Sequence, residues 1–146
     1  MYLLSADTLL QLADEESNSV KDWVTAQTAS ACRLSVVAIG MAQFTIETEL
    51  KGVLRQKWLR ALNDCVARLR LFSGDALGVD AGVVEEWVKL QQEDLHGVGE
   101  DGSLEPLDID MRLVIATAAH HGLIFADPKH HFHAELRAIG VQVHSL

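Results

Sequence analysis

The chain has 146 residues, 49 % of them hydrophobic, and its 12 Lys and Arg stand against 21 Asp and Glu for a net charge of −9 with histidine neutral. This apolar content can offset chain entropy, which excludes disorder, and 10 Gly with 2 Pro exclude collagen-like and low-complexity classes. The acidic balance argues against holding nucleic acid through an overall field, because phosphate affinity comes mainly from Lys and Arg; it leaves room for a bound divalent ion that supplies positive charge locally, and for a basic protein partner.

The length suits one domain over residues 1–146, burying about two-thirds of its unfolded surface. Cys32 and Cys65 make no disulfide framework, and no Cys-x-x-Cys is present. The start, MYLLSADTLL, has no basic region ahead of its apolar residues and meets Asp7 early, unlike a signal peptide. No run reaches the ~18 apolar residues of a membrane span, so a cytoplasmic location is expected.

In chain order, Tyr2–Leu4 reads as a first strand broken by Ser5-Ala6-Asp7-Thr8, and Leu9, Leu10, Leu12 and Ala13 continue as a short helix. Ser17 or Ser19 caps a second helix with Val20, Trp23 and Val24 on one face. Leu34–Ile39 is a β-branched, two-sided apolar run, the pattern of a central parallel strand, ended by Gly40 before a helix over 41–50. Trp58, Leu59, Leu62, Val66 and Leu69 make a helical stripe, with a short third strand expected at 69–72. Residues 76–92 read as helix, with Val79, Val83, Val84, Trp87 and Leu90 inward, and 96–103 as a loop. Ile109–His121 is apolar on most sides and predicts a buried helix stopped by Gly122. A strand at 123–126, a helix at 131–138 and an edge strand at 141–143 complete the chain. Strands alternating with helices predict an α/β fold, a three-layer α/β/α arrangement with a central parallel sheet of four to five strands.

In such sheets ligands bind beyond the carboxyl ends of the strands. Asp7 follows the first strand, Asp127 follows the strand at 123–126, and Asp108 and Asp110 open the buried helix. Clustered carboxylates repel one another, and a hard cation such as Mg²⁺ or Mn²⁺ relieves that repulsion; two such ions can activate water for phosphoryl displacement. Asp7, Asp110 and Asp127 are therefore the candidate catalytic and metal-binding residues. Each also has a plainer use, as a helix cap at Asp7, Asp108 or Asp110 and as a turn former at Asp127-Pro128. His130, His131 and His133 follow Asp127, and His120-His121 precede Gly122; the first group reads as a solvated loop, able to bind Zn²⁺ or Ni²⁺ adventitiously or to place His131 beside Phe132 against a base. Arg55, Lys57, Arg60, Arg68 and Arg70 read as a solvated helix face.

MYLL at the start, LSVVAIG at 34–40, LRLF at 69–72, VIATAAHHGLIFAD at 114–127 and IGVQV at 139–143 together resemble PIN domains, in particular VapC-type ribonuclease toxins of toxin–antitoxin pairs. The resemblance spans nearly the whole chain. It implies a parallel sheet, a homodimer, a divalent metal held by three or four acids, an antitoxin partner and single-stranded RNA as substrate. The chain departs from the family where the acids should be: Ser5 stands at the first acidic place, with Asp7 two residues on, Met41 at the second and Met111 at the third, with Asp110 one residue early. One residue turns a helical side chain by ~100°, and a thioether is a poor Mg²⁺ ligand. The expected function is a VapC-like protein with a degenerate metal site, little or no ribonuclease activity and a binding role. The alternatives are an active Mg²⁺- or Mn²⁺-dependent endoribonuclease with a rearranged acidic site, and a small-molecule-binding domain with a closed apolar pocket around Met41 and Met111.

Overall fold

The computed structural model describes the backbone of residues 1–146 and every side chain except that of His130. Strand β1 (Tyr2–Leu4) runs straight into helix α1 (Ala6–Ala13), because Ser5 turns the chain and caps the helix through Thr8 N–H. Helix α2 (Ser19–Ala26), capped by Asn18, leads to β2 (Cys32–Arg33), and then come α3 (Val36–Glu49), α4 (Gly52–Ser73) and α5 (Ala81–Gln91). A hairpin, β3 (His96–Val98) with β4 (Leu104–Pro106), precedes α6 (Ile109–His120). Strand β5 (Ile124–Asp127), a 3₁₀ turn at His130–Phe132, α7 (His133–Ala138) and β6 (Val143–Ser145) close the chain.

The central sheet has the order β2-β1-β5-β6, all parallel. Parallel neighbours need crossover connections, and the helices that supply them cover the sheet. Leu3 and Phe125, paired across β1 and β5, are fully buried, as are Leu4 and Leu9. Helix α6 is buried over Val114–Ala118, as its apolar content predicts, and Gly122 follows it at φ +65, where a side chain would be strained. Arg112 is buried in the same helix; its guanidinium donates to the carbonyls of Leu90, Glu93 and Leu107 and so ties the end of α5 and the approach to α6 together. Among the described residues no helix is long and apolar enough to cross a membrane.

Five expectations are corrected. Residues 34–39 are not a strand: β2 is only Cys32–Arg33, and α3 begins at Val36, where the Ser35 hydroxyl accepts from Val37 and Ala38 N–H. Helix α3 continues through Gly40, which does not break it, and the buried series Ala38, Ala42 and Ile46, at helical spacing, prevails over β-branching. Residues 69–72 are the last turn of α4, since the breaker comes only at Gly74 with φ +85. Residues 76–80 are not helical; Leu77 bridges Ser35 in parallel and Asp80 caps α5, which leaves Val79 and Val84 exposed. Residues 96–103 are mostly hairpin rather than loop, and the last strand lies two residues later than expected.

Candidate acidic site

The carboxyl ends of β1 and β5 lie side by side, and the residues that follow them meet. Ser5, buried after β1, donates its hydroxyl to Asp127 Oδ1 at 2.7 Å, and the Thr8 hydroxyl donates to the Ala126 carbonyl at 3.0 Å. Asp127 is 2 % exposed. Its other oxygen lies 3.0 Å from His133 Nε2, and His133 Nδ1 lies 2.7 Å from the Ser145 hydroxyl on β6. Both carboxylate oxygens of Asp127 therefore have protein partners, which a carboxylate this deeply buried requires. The Arg137 guanidinium donates to Ser145 at 2.8 Å and extends the chain of bonds to the surface.

Asp7 sits in the first turn of α1, half-buried. Burial pushes its carboxyl above the usual range; the Lys129 ammonium opposes the rise, and the charges of Asp127 and Glu49 add to it. Lys129 Nζ lies 3.4 Å from Asp7 Oδ1. Asp7 and Asp127 thus share one electrostatic environment, and a protein cation stands in it.

Asp110 has other neighbours. It is exposed in the first turn of α6, where Asp108 caps the helix by accepting from Asp110 N–H. Asp108 and Asp110 border a shallow depression of about 480 Å³ with Val37, Met41, Phe44 and Thr45. Met111 faces a different depression of about 500 Å³, with Lys129, His131 and the acids Glu100, Asp101 and Glu105. The two methionines therefore do not wall one closed apolar pocket, and the small-molecule expectation loses its basis. His133 is buried against Asp127 rather than solvated, and Phe132 is buried too, so neither fits the exposed histidine loop expected at 130–133. Among the described residues, the group of three His, Cys, Asp or Glu side chains whose ligand atoms all lie within 4.8 Å of one another is Asp80, His120 and His121, not Asp7, Asp110 and Asp127.

No protein-family model matches the chain, and no curated protein does. Solved structures do match. FitAcB from Neisseria gonorrhoeae superposes with a TM-score of 0.72 at 19 % identity, over 98 % of this chain and 96 % of that one. VapBC2 from Rickettsia felis, bound to a DNA fragment from its promoter, gives 0.73 at 11 % identity over 99 % and 98 %. VapBC-5 from Mycobacterium tuberculosis gives 0.64 at 15 % identity over 99 % and 98 %. The fold is that of a VapC-type PIN domain.

A hard divalent ion takes about six oxygen ligands. The PIN-type fold here offers Asp7, already paired with Lys129, and Asp127, already bonded at both oxygens, with Glu49 felt only as a charge. As arranged, Asp7 and Asp127 meet an ion only by exchanging a protein partner, Lys129 for the one and Ser5 or His133 for the other. Three of the groups that decide this carry weak sequence signals. Lys129 is visible only as the residue after Asp127-Pro128, and Glu49 lies at the far end of a helix whose start was expected to be a strand. His133 was visible, but not its inward direction, which the 3₁₀ turn sets.

Proposed function

We propose that this chain is a VapC-like PIN-domain protein of toxin–antitoxin type whose metal-dependent ribonuclease chemistry is impaired or lost, and which works by binding. The observation that carries this reading is the Lys129 ammonium 3.4 Å from Asp7, beside an Asp127 whose oxygens are committed to Ser5 and His133. The exposed Lys129 ammonium partly neutralises the acids that a divalent ion needs free, and by the family resemblance Met41 and Met111 take the places where further carboxylates would complete the ligand set. Glu100, Asp101 and Glu105 line the depression next to Lys129, and their charge repels an RNA backbone.

The matching structures are toxin–antitoxin complexes, and two of them, FitAB and VapBC2, hold DNA fragments. By that likeness the partner here is an antitoxin-like protein, which a net charge of −9 suits if its contacting segment is basic. A second copy of the chain is the other partner: Phe44 on α3 and Leu71 and Phe72 on α4 are 68 %, 80 % and 63 % exposed, apolar surface that a homodimer would cover. RNA is a partner only under the alternative reading, an active Mg²⁺- or Mn²⁺-dependent endoribonuclease with a rearranged acidic site. One observation favours that alternative: Asp7 and Asp127 repel each other, so a metal ion that displaced the exposed Lys129 would relieve a cost already present.

Incubation of the chain with a mixed-sequence single-stranded RNA and Mn²⁺ separates the two. The expected result is cleavage no faster than with the Asp127→Asn protein. Cleavage by the unmodified chain that both Asp7→Asn and Asp127→Asn abolish would establish the alternative.

A further inference from the structure

A second group of metal-ligating side chains lies at the other end of β5. Asp127 closes that strand, whereas His120 and His121 precede it, so about 13 Å of strand separates the two ends. His120 is the last residue of α6, His121 follows it, and Asp80 caps the N-terminus of α5. All three are exposed. Asp80 Oδ1 lies 3.7 Å from His120 Nε2, and the two imidazole rings stand 4.9 Å apart at 75°.

We propose that Asp80, His120 and His121 form a binding site for a borderline transition-metal ion, Zn²⁺ foremost, with two imidazoles and one carboxylate as ligands and water in the remaining position. Two imidazoles and a carboxylate are a recurrent Zn²⁺ donor set with an open fourth place, and nitrogen donors select against Mg²⁺. A tetrahedral ion with bonds of about 2.0–2.1 Å spaces its ligands about 3.4 Å apart. The donor atoms already lie within 4.8 Å of one another, so side-chain rotations at the surface close the set without moving backbone.

Two further features prepare the site. The Asp80 carboxylate accepts the Val83 backbone N–H at 3.0 Å, which fixes its orientation at the start of α5. The His120 ring lies directly against Gly82: a Cβ there would fall 2.0 Å from Cε1 and 2.5 Å from Nε2. Glycine in the first turn of α5 lets the imidazole lie against the helix in this rotamer, beside Asp80. Arg33 and Asp75 line the adjoining depression of about 370 Å³ beside Asp80 and His121, and Asp75 pairs with Arg70 at 2.8 Å. A bound ion would clip the start of α5 to the end of α6, so it stabilises the folded chain by linkage.

The test is calorimetric titration of the untagged, full chain with ZnCl₂, with the melting temperature read alongside. The expected result is uptake of about one equivalent with a rise in melting temperature, and no competition from excess Mg²⁺. His120→Ala and His121→Ala should each weaken uptake at least tenfold. Asp80→Asn should do the same while keeping the helix cap, since asparagine accepts the Val83 N–H equally well. Gly82→Ala adds only a methyl group against the His120 ring and should weaken uptake with the fold intact. No Zn²⁺ uptake, affinity unchanged in Asp80→Asn or in Gly82→Ala, or uptake lost on His131→Ala instead, would each overturn the proposal.

Discussion

Asp127 is the residue on which most of the acidic site depends, and its neighbours say what its loss would do. The carboxylate is buried and answered by Ser5 on one side and His133 on the other. Removing His133 leaves the buried Asp127 oxygen short of its hydrogen-bond partner and opens a cavity beside it, which together cost about 3–5 kcal/mol. His133→Ala should therefore lower the melting temperature by roughly 6–20 °C in a chain of this length, measured by scanning calorimetry. Asp127→Asn keeps the shape and needs only one polar mismatch accommodated, so its cost should be smaller, about 1–3 kcal/mol. Cys32 gives an independent check on burial beside β1. Desolvation pushes its thiol up to about 11, with the N-terminal amine opposing. The folded chain then keeps a proton that the unfolded chain releases above about 8.5, so stability should fall as pH rises from that value towards about 11. Iodoacetamide at pH 8.5 should label Cys32 in urea and leave it largely unmodified in the folded chain.

Among the elements, α3 shows most clearly where local reading succeeds and where it fails. Strand β1, the stripe of α4, the buried α6 with its glycine stop, and β5 are all legible from the sequence, because each joins a strong apolar pattern to a breaker in the right place. The start of α3 is not legible. Val36, Val37 and Ile39 look like strand residues, and what makes them helical is the Ser35 cap together with packing of Ala38, Ala42 and Ile46 into the core. The same limit applies at the site. Asp7 and Asp127 are visible as residues that follow strands, but the ring of partners around Asp127 depends on β6 and the 3₁₀ turn, which no local pattern fixes. Ser35→Ala removes the cap and should destabilise the chain by about 0.5–2 kcal/mol, while Ser35→Thr, which keeps the hydroxyl acceptor for Ala38 N–H, should recover part of that loss in urea denaturation. If residues 34–39 paired as a central strand, neither change would follow this order.

Across the whole molecule, the parallel sheet carries two separate sets of ligating groups at opposite ends of β5. The acidic set at the carboxyl end holds its own cation in Lys129, and the hairpin acids surround it with further negative charge. The histidine set at the amino end is open to solvent, and its carboxylate is oriented by the Val83 N–H. A fold shared with the proteins of toxin–antitoxin complexes does not secure their chemistry, because the chemistry depends on which side chains the fold presents. The most direct test of that account is Mn²⁺ uptake at the acidic site, followed by calorimetry in a His120→Ala, His121→Ala background so that the second site is silent. The account predicts no uptake by this protein, and measurable uptake once Lys129→Ala is added with Met41→Glu. Saturable Mn²⁺ binding with Lys129 and Met41 in place, abolished by Asp127→Asn, would contradict it.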